Sequence, residues 1–399
     1  MDNKKIEILA PVGNHEMLSA AINSGADSIY FGISGFNMRA GAKNFMPDEM
    51  KTIVSKCHTN GLKAYLALNT IIFEHELEKV KSILKLAKDS GVDAVICYDM
   101  AVARFAEKLK IDVHISTQAS VSNSSAADVY KKLGAKRIVL ARECSLKDIK
   151  KIKKKDIEIE VFIHGAMCVS ESGRCFMSEH LYGKSANRGE CIQPCRRAYK
   201  ITDTETKKEL VLDNNYVMSP KDMCTIMFIE KLIDAGINCF KIEGRNRSPE
   251  YVKITVEVYK QAIELYSQKK LTLAKKKQLY KKLQKVYNRG FSDGFYMGKP
   301  IGDWAESYGS QATMVKEYVG YVVNYFKTPK VAEIKLQSGH VKLGDKILII
   351  GPTTGCVEEK ITSMQVNKKP IKSAKKPGTF ALKIPLVRKN DKVYLWKKR

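Results

Sequence analysis

Eight short apolar runs, most of them followed by a stretch of helical periodicity, recur through about the first 245 residues. They are residues 6–11 (IEILAP), 27–32 (DSIYFG), 63–69 (KAYLALN), 94–99 (AVICYD), 112–118 (DVHISTQ), 137–141 (RIVLA), 159–165 (IEVFIHG) and 239–244 (CFKIEG). Runs this short, bounded by turn residues, read as strands. The intervening stretches, such as FEHELEKVKSILKLAKDSG, place apolar residues near every third or fourth position, which is the stripe of an amphipathic helix. Recurrent glycine turns (INSGADSIY, KDSGVDAVI, KKLGAKRIV) close a helix and feed the next strand. The pattern predicts an α/β fold of the (β/α)8 TIM-like barrel type. A doubly wound sheet is the alternative, but no glycine-rich phosphate loop follows the first strand.

The rest of the chain departs from this rhythm. A long cysteine-bearing insertion, residues 165–225, separates the seventh and eighth strands. Two helices are expected at 249–268 and 271–287, so the barrel domain spans 1–300. A linker at 301–317 leads to a small all-β barrel at 318–399, read from short strands and tight turns such as VKLGDKILIIG. Only the lysine runs KKIKKKD (150–156) and KKPIKSAKK (368–376) are compositionally biased.

The formal charge is +26, and it is uneven: from Gln311 to Arg399 there are 19 Lys and Arg against 6 Asp and Glu. Such a surplus serves solubility or a polyanionic partner, of which RNA is the natural one. The lysines expected to meet phosphate are Lys368, Lys369, Lys375 and Lys376. The N-terminus has no apolar core of a secretory signal and no run approaches a membrane span, so the chain reads as cytoplasmic, without membrane association. In that compartment clustered thiols point to metal or redox chemistry rather than disulfides.

Four of the ten cysteines, Cys168, Cys175, Cys191 and Cys195, lie within 28 residues, spaced C-x6-C-x15-C-x3-C. Four thiolates suit a tetrahedral Zn²⁺ or an iron–sulfur cubane. The first pair is wider than a zinc knuckle, which favours iron–sulfur without deciding it. The other six cysteines are scattered among apolar residues.

These residues carry a resemblance. HGAMCVSESGRCFMS…GKSANRGECIQPCRRAY, SPKDM, KIEGRNRSPEYV, LAPVGN, FNMRAGAKNF, LNT, HISTQ and LARECSL together resemble the collagenase-like peptidase family U32. Within it, the chain is most similar to the tRNA 5-hydroxyuridine hydroxylation proteins and their rRNA cytidine-hydroxylating relatives. The resemblance implies a 4Fe–4S cluster on Cys168, Cys175, Cys191 and Cys195, and prephenate as the oxygen source in place of O2. It also implies a tRNA or rRNA substrate and leaves room for a partner protein of the same family. A peptidase is the alternative, but the sequence has neither a G-x-S-x-G elbow nor an HExxH helix.

Barrel chemistry sits at the C-terminal ends of the strands. That places His114, His164 and Glu243 as acid–base candidates. Arg39, Asn69, Gln118, Arg142 and Arg245 are the substrate-binding candidates, with Asp99, Thr117 and Glu143 beside them. A dicarboxylate requires guanidinium forks, which Arg39, Arg142 and Arg245 can supply. The same arginines read equally well as rim ion pairs, Arg142 with Glu143 and Arg245 with Glu243.

Overall fold

The computed structural model describes residues 6–41, 44–153, 156–210 and 216–399. Parts of the lysine run at 150–156, of the FNMRAGAKNF motif and of the 165–225 insertion therefore lie outside the described residues.

Seven parallel strands run in sequence order around a barrel: β1 (Glu7–Pro11), β2 (Ser28–Phe31), β3 (Lys63–Ala67), β4 (Ala94–Cys97), β5 (Asp112–Ile115), β6 (Ala135–Val139) and β7 (Glu158–Gly165). Between them lie α1 (His15–Asn23), α2 (Met50–Thr59), α3 (Leu77–Asp89), α4 (Met100–Lys108), α5 (Ser124–Lys132) and α6 (Leu146–Ile152). Several helices begin on a side-chain cap: Asn14, Asp99, Asn123 and Ser145 accept hydrogen bonds from backbone N–H groups in the first turn. Each then buries one stripe, as α3 does with Val80, Ile83, Leu84 and Ala87.

After β7 the chain makes its excursion. It contains α7 (Met177–Tyr182), the short pair β8 (Ile201–Thr202) and β9 (Glu209–Leu210), then β10 (Asp222–Cys224), which adds antiparallel to β7. Following α8 (Ile229–Asp234), β11 (Cys239–Ile242) pairs in parallel with both β7 and β1 and closes the barrel. All eight strands read from the sequence are therefore present.

The trailing helices are α9 (Pro249–Ser267) and α10 (Leu273–Leu283). The second is shorter than the 271–287 expectation. Its apolar period continues to the buried Val286, but the Gln284 carbonyl is taken by the Thr313 N–H at 2.9 Å, which pins the chain as it leaves the helix. The strand β12 (Phe291–Ser292) then pairs with β10.

The C-terminal region is antiparallel. It comprises β13 (Met314–Phe326), β14 (Val331–Leu336), β15 (His340–Lys342), β16 (Lys346–Gly351), β17 (Gly355–Lys360), β18 (Gln365–Val366), β19 (Lys369–Pro370), β20 (Ser373–Lys375), β21 (Gly378–Lys383) and β22 (Lys392–Lys398). Eight of these form one sheet, and β15 pairs with β20. Val322, Ile334, Ile349, Phe380 and Leu382 build its own core. Other residues of this region, Leu348, Ile350, Cys356 and Trp396, belong to the barrel's core. Docking is tight at α1, where Gly355 adopts φ +73° and a Cβ there would strike the Ser19–Ala20 backbone. The Ser19 hydroxyl donates to the Pro352 carbonyl at 2.5 Å, and Lys316 pairs with Glu250 at 2.9 Å. Among the described residues no helix is long and apolar enough to cross a membrane.

Candidate functional site

The C-terminal ends of β2, β3, β5, β6, β7 and β11 surround a cavity of about 410 Å3, and the excursion after β7 folds over it. Its lining includes Tyr30, Arg39, Asn69, Gln118, Arg142, Phe162, Lys241, Glu243 and Arg245 from the barrel, and Cys168, Cys175, Cys191 and Cys195 from the excursion.

Arginines tether the cysteine segment, Arg196 and Arg289 from buried positions and Arg188 from a half-buried one. Arg188 donates to the Ile71 carbonyl and to Glu76, fastening the segment to the loop after β3. Arg196 donates to the Pro220 carbonyl at 2.6 Å, to Ser219 at 3.2 Å and to the Met167 carbonyl. Arg289 bridges Asp222 at 3.3 Å and Gln193 at 3.1 Å. At Gly189, φ +84°, the segment presses on the backbone of Asn37 and Ala40 so closely that only glycine fits.

The four thiols face one another electrostatically. Burial raises Cys195, Arg196 lowers it, and Cys168, Cys191 and Cys175 each raise it further. Cys191 follows the same logic: burial raises it, the Gln193 N–H lowers it by donating to its sulfur at 3.4 Å, and the neighbouring thiols raise it again. Among the described residues no three Cys, His, Asp or Glu side chains stand close enough to hold a metal. The donor set nevertheless fits one. Four thiols line one cavity, Cys191 and Cys195 are disfavoured from ionising by burial and by their neighbours, and a cation among the sulfurs relieves that repulsion. The remaining cysteines, Cys57, Cys97, Cys144, Cys224, Cys239 and Cys356, are buried elsewhere.

The barrel side of the cavity is cationic. Arg39 donates to Glu243 at 3.0 Å, and the Ala166 N–H donates to the other Glu243 oxygen at 3.2 Å. Burial alone would raise the Glu243 carboxyl, but Arg39, Arg247 and Arg142 hold it down at about 2, so it is a fixed anion rather than a proton carrier. Arg142 lies over the Phe162 ring, 4.0 Å from its centroid, and spends one nitrogen on the Ala166 carbonyl. Arg245 donates to Asn37 at 2.8 Å, and burial draws its guanidinium down to about 10. Neither Arg142 nor Arg245 has a carboxylate partner among the described residues: Glu143 is exposed, and Glu243 is taken by Arg39. Arg142 Nε and Arg245 Nη1 are buried without any hydrogen bond, in residues 8% and 7% exposed. Both residues line the cavity while these two N–H groups are closed off behind it, so what marks the wall as a place for an anion is its surplus of buried positive charge.

Asn69 donates to Gln118 at 3.2 Å and accepts from the Met38 N–H at 3.2 Å, setting two amides on the cavity wall. Asp99 instead caps α4, accepting from the Ala101 N–H at 2.9 Å, and Thr117 donates to the Leu140 carbonyl at 3.1 Å.

The two histidines are placed differently. His114 is buried with its ring edge-on to Tyr65, 4.7 Å between centroids, and His164 packs among Tyr251, Tyr259 and Phe291. Neither lines the cavity. Burial and then Arg247 push His164 down to about 3, and burial with Arg137 and Lys241 pushes His114 well down, so both stay neutral. Sequence reasoning did not single out Lys241, Tyr30, Phe162 or Arg196. Lys241 stands 4.5 Å from the Tyr30 ring centroid and pairs with the fully buried Glu160 at 2.7 Å. A charge in the middle of an apolar strand, as in CFKIEG, was the available signal. Lys368, Lys369, Lys375 and Lys376 are exposed on the C-terminal sheet and its turns, without an ion pair among the described residues.

The sequence model of peptidase family U32 matches residues 13–306. The chain is 40% identical over 413 aligned residues to a collagenase of Porphyromonas gingivalis (strain ATCC BAA-308 / W83), covering all of both proteins. It is 36% identical to the tRNA hydroxylation protein P1 of Bacillus subtilis (strain 168), with 88% of this chain and 84% of that protein covered. It is 34% identical to the 23S rRNA 5-hydroxycytidine C2501 synthase of Escherichia coli (strain K12), over 76% of this chain and 49% of that protein.

Proposed function

The chain belongs to peptidase family U32, and from that premise we propose that it is an RNA nucleoside hydroxylase. The observation that carries the reading is a pair of buried arginines, Arg142 and Arg245, with no ion pair among the described residues, on a cavity that four thiols also line. The names of the tRNA- and rRNA-hydroxylating relatives support it. The reaction proposed is formation of 5-hydroxyuridine at the wobble position of tRNA, with cytidine in rRNA as the related alternative.

Turning a ring C–H into C–OH is a two-electron oxidation that adds one oxygen atom; the donor, prephenate, would give up its hydroxyl oxygen by breaking its C–O bond and take the two electrons and the hydrogen that the base loses. Arg142 and Arg245 fork its carboxylates, Arg39 is held by Glu243 at the entrance to the same anion site, and Tyr30 and Phe162 pack against its carbon body. Asn69 and Gln118 present amides to the edge of an extruded base. Cys168, Cys175, Cys191 and Cys195 would hold a 4Fe–4S cluster, with zinc as the alternative, and an iron–sulfur centre would supply one-electron transfer.

The collagenase relative keeps a hydrolase reading open. It requires a base beside a nucleophile, yet no histidine is among the residues lining the cavity. Nucleoside mass spectrometry of tRNA and rRNA from a deletion strain decides between the two. A hydroxylated nucleoside should vanish and return with the wild-type gene but not with Cys191→Ala, whose purified protein should also lose most of its iron. Unchanged nucleosides with loss of collagen cleavage would sink the RNA reading.

A further inference from the structure

A second cavity, of about 140 Å3, shares a wall with the first, because Met167, Cys168 and Val169 line both. Its far side is formed by Trp304 with Phe295 and Pro300, and Lys221 and Asp303 supply polar groups. The ledge carrying Trp304 is stitched in place by backbone. Pro220 and Trp304 form an antiparallel bridge, the Lys221 N–H donates to the Asp303 carbonyl at 2.9 Å, and the Ala305 N–H donates to the Ser219 carbonyl at 2.7 Å. Although so fixed, Trp304 is 38% exposed. A large flat ring carried on a fixed stretch of backbone at a cavity's edge is placed for a flat partner.

The sign of the partner follows from the shared wall. Residues 166–200, which supply it, carry six Lys and Arg against three Asp and Glu, and the larger cavity beyond adds Arg39, Arg142, Lys241 and Arg245. A planar group on an anionic backbone is a nucleobase of single-stranded RNA. We infer that the small cavity receives one unpaired base, the neighbour of the nucleotide entering the large cavity, stacked on Trp304, with the Met167–Val169 wall between the two. This rests on the RNA reading above. The physical logic is that extruding one base unstacks its neighbour, and an aromatic platform restores the stacking that was lost.

The test uses the full-length protein, an RNA hairpin with an unpaired loop and a blunt duplex of equal length. Trp396 is only 4% exposed, so quenching of tryptophan emission by RNA reports on Trp304. The hairpin should quench wild-type emission, and this quenching should disappear in Trp304→Phe while affinity stays close to wild type. Trp304→Ala should weaken hairpin binding about 5- to 150-fold and leave duplex binding unchanged. Wild-type hairpin affinity in Trp304→Ala, or equal quenching by the duplex, would overturn the stacking pocket and leave the RNA reading standing. Failure of wild-type protein to bind either RNA would overturn both.

Discussion

Arg137 lies inside the barrel and Arg142 at its mouth, five residues further on, yet the two guanidinium groups are treated in opposite ways. Arg137 meets Glu7 at 2.7 Å, Glu158 at 2.8 Å and Glu160 at 3.4 Å, and Glu160 also holds Lys241 at 2.7 Å. Arg142 and Arg245 are also buried, but neither makes an ion pair among the described residues, and they share the field of Glu243 with Arg39. Burying a guanidinium costs several kcal/mol unless it is paired. The fold meets that cost at Arg137 with its own carboxylates. At the mouth a single carboxylate, Glu243, serves Arg39, Arg142 and Arg245 together, which leaves net positive charge for an anion from outside. A paired buried cation is architecture, and an unpaired one is a binding site.

The largest effect should come from breaking the paired side. Arg137→Ala leaves Glu7 and Glu160 short of a counter-charge inside the barrel and should lower unfolding free energy by about 3–5 kcal/mol, read from urea midpoints. Removing the mouth arginines should do the reverse. Arg142→Ala and Arg245→Ala should leave the midpoint unchanged or slightly higher, because an uncompensated charge is lost, while hydroxylation falls below detection. Loss of a guanidinium partner for a buried dianion is worth about 2–5 kcal/mol of binding. A large stability loss in the mouth variants with normal hydroxylation would show that these arginines are structural after all.

How far the sequence carries this contrast depends on distance along the chain. Strands separated by helices announce themselves through local periodicity, and all eight barrel strands lie where their apolar runs place them. Strands β10 and β12 are three and two residues long, too short for any period, and they exist only because β7 offers an edge for β10 and β10 one for β12. Ion pairs are a matter of tertiary geometry. Arg142 and Glu143 are adjacent in sequence, but they sit in the turn that follows β6, where one lines the cavity and the other faces solvent. Glu243 turns to Arg39, about two hundred residues away, rather than to Arg245 two positions on. Residue type and position at a strand end were legible, whereas partner choice was not.

Acid sharpens the comparison by titrating the mouth. The folded His164 sits at about 3, below its ordinary value near 6.5, so unfolding takes up a proton and stability falls as pH drops from about 6.5 towards 3. Glu243, held near 2 against a usual value near 4.5, adds stability that is complete above 4.5 and lost as pH falls from there towards 2. Both act in the same direction, at about 1.4 kcal/mol per pKa unit as an upper scale. Urea midpoints at pH 7, 5.5 and 4 should therefore decline, and His164→Gln should flatten the upper part of that decline. A His164→Gln profile parallel to wild type would mean the imidazole is not held neutral by its burial.

The smallest effect concerns cations that the fold neither pairs nor buries. Lys368, Lys369, Lys375 and Lys376 are solvated, so replacing all four with Ala should not move the unfolding midpoint by more than about 0.5 kcal/mol. If they lie along RNA phosphate, each contact released shallows the dependence of log affinity on log salt by about 0.7–0.9, giving roughly 3 for the set. Deleting the C-terminal region would be a poorer test, because Leu348, Ile350 and Trp396 belong to the barrel's core and their loss would expose it. The quadruple variant also separates the two kinds of cation. Arg245→Ala should abolish hydroxylation with the salt slope intact, and the lysine variant should shallow the slope with residual hydroxylation at high RNA concentration. An unaltered slope in the lysine variant would assign the phosphate contacts to the rim of the cysteine segment, where Lys184, Arg197 and Lys200 are also exposed.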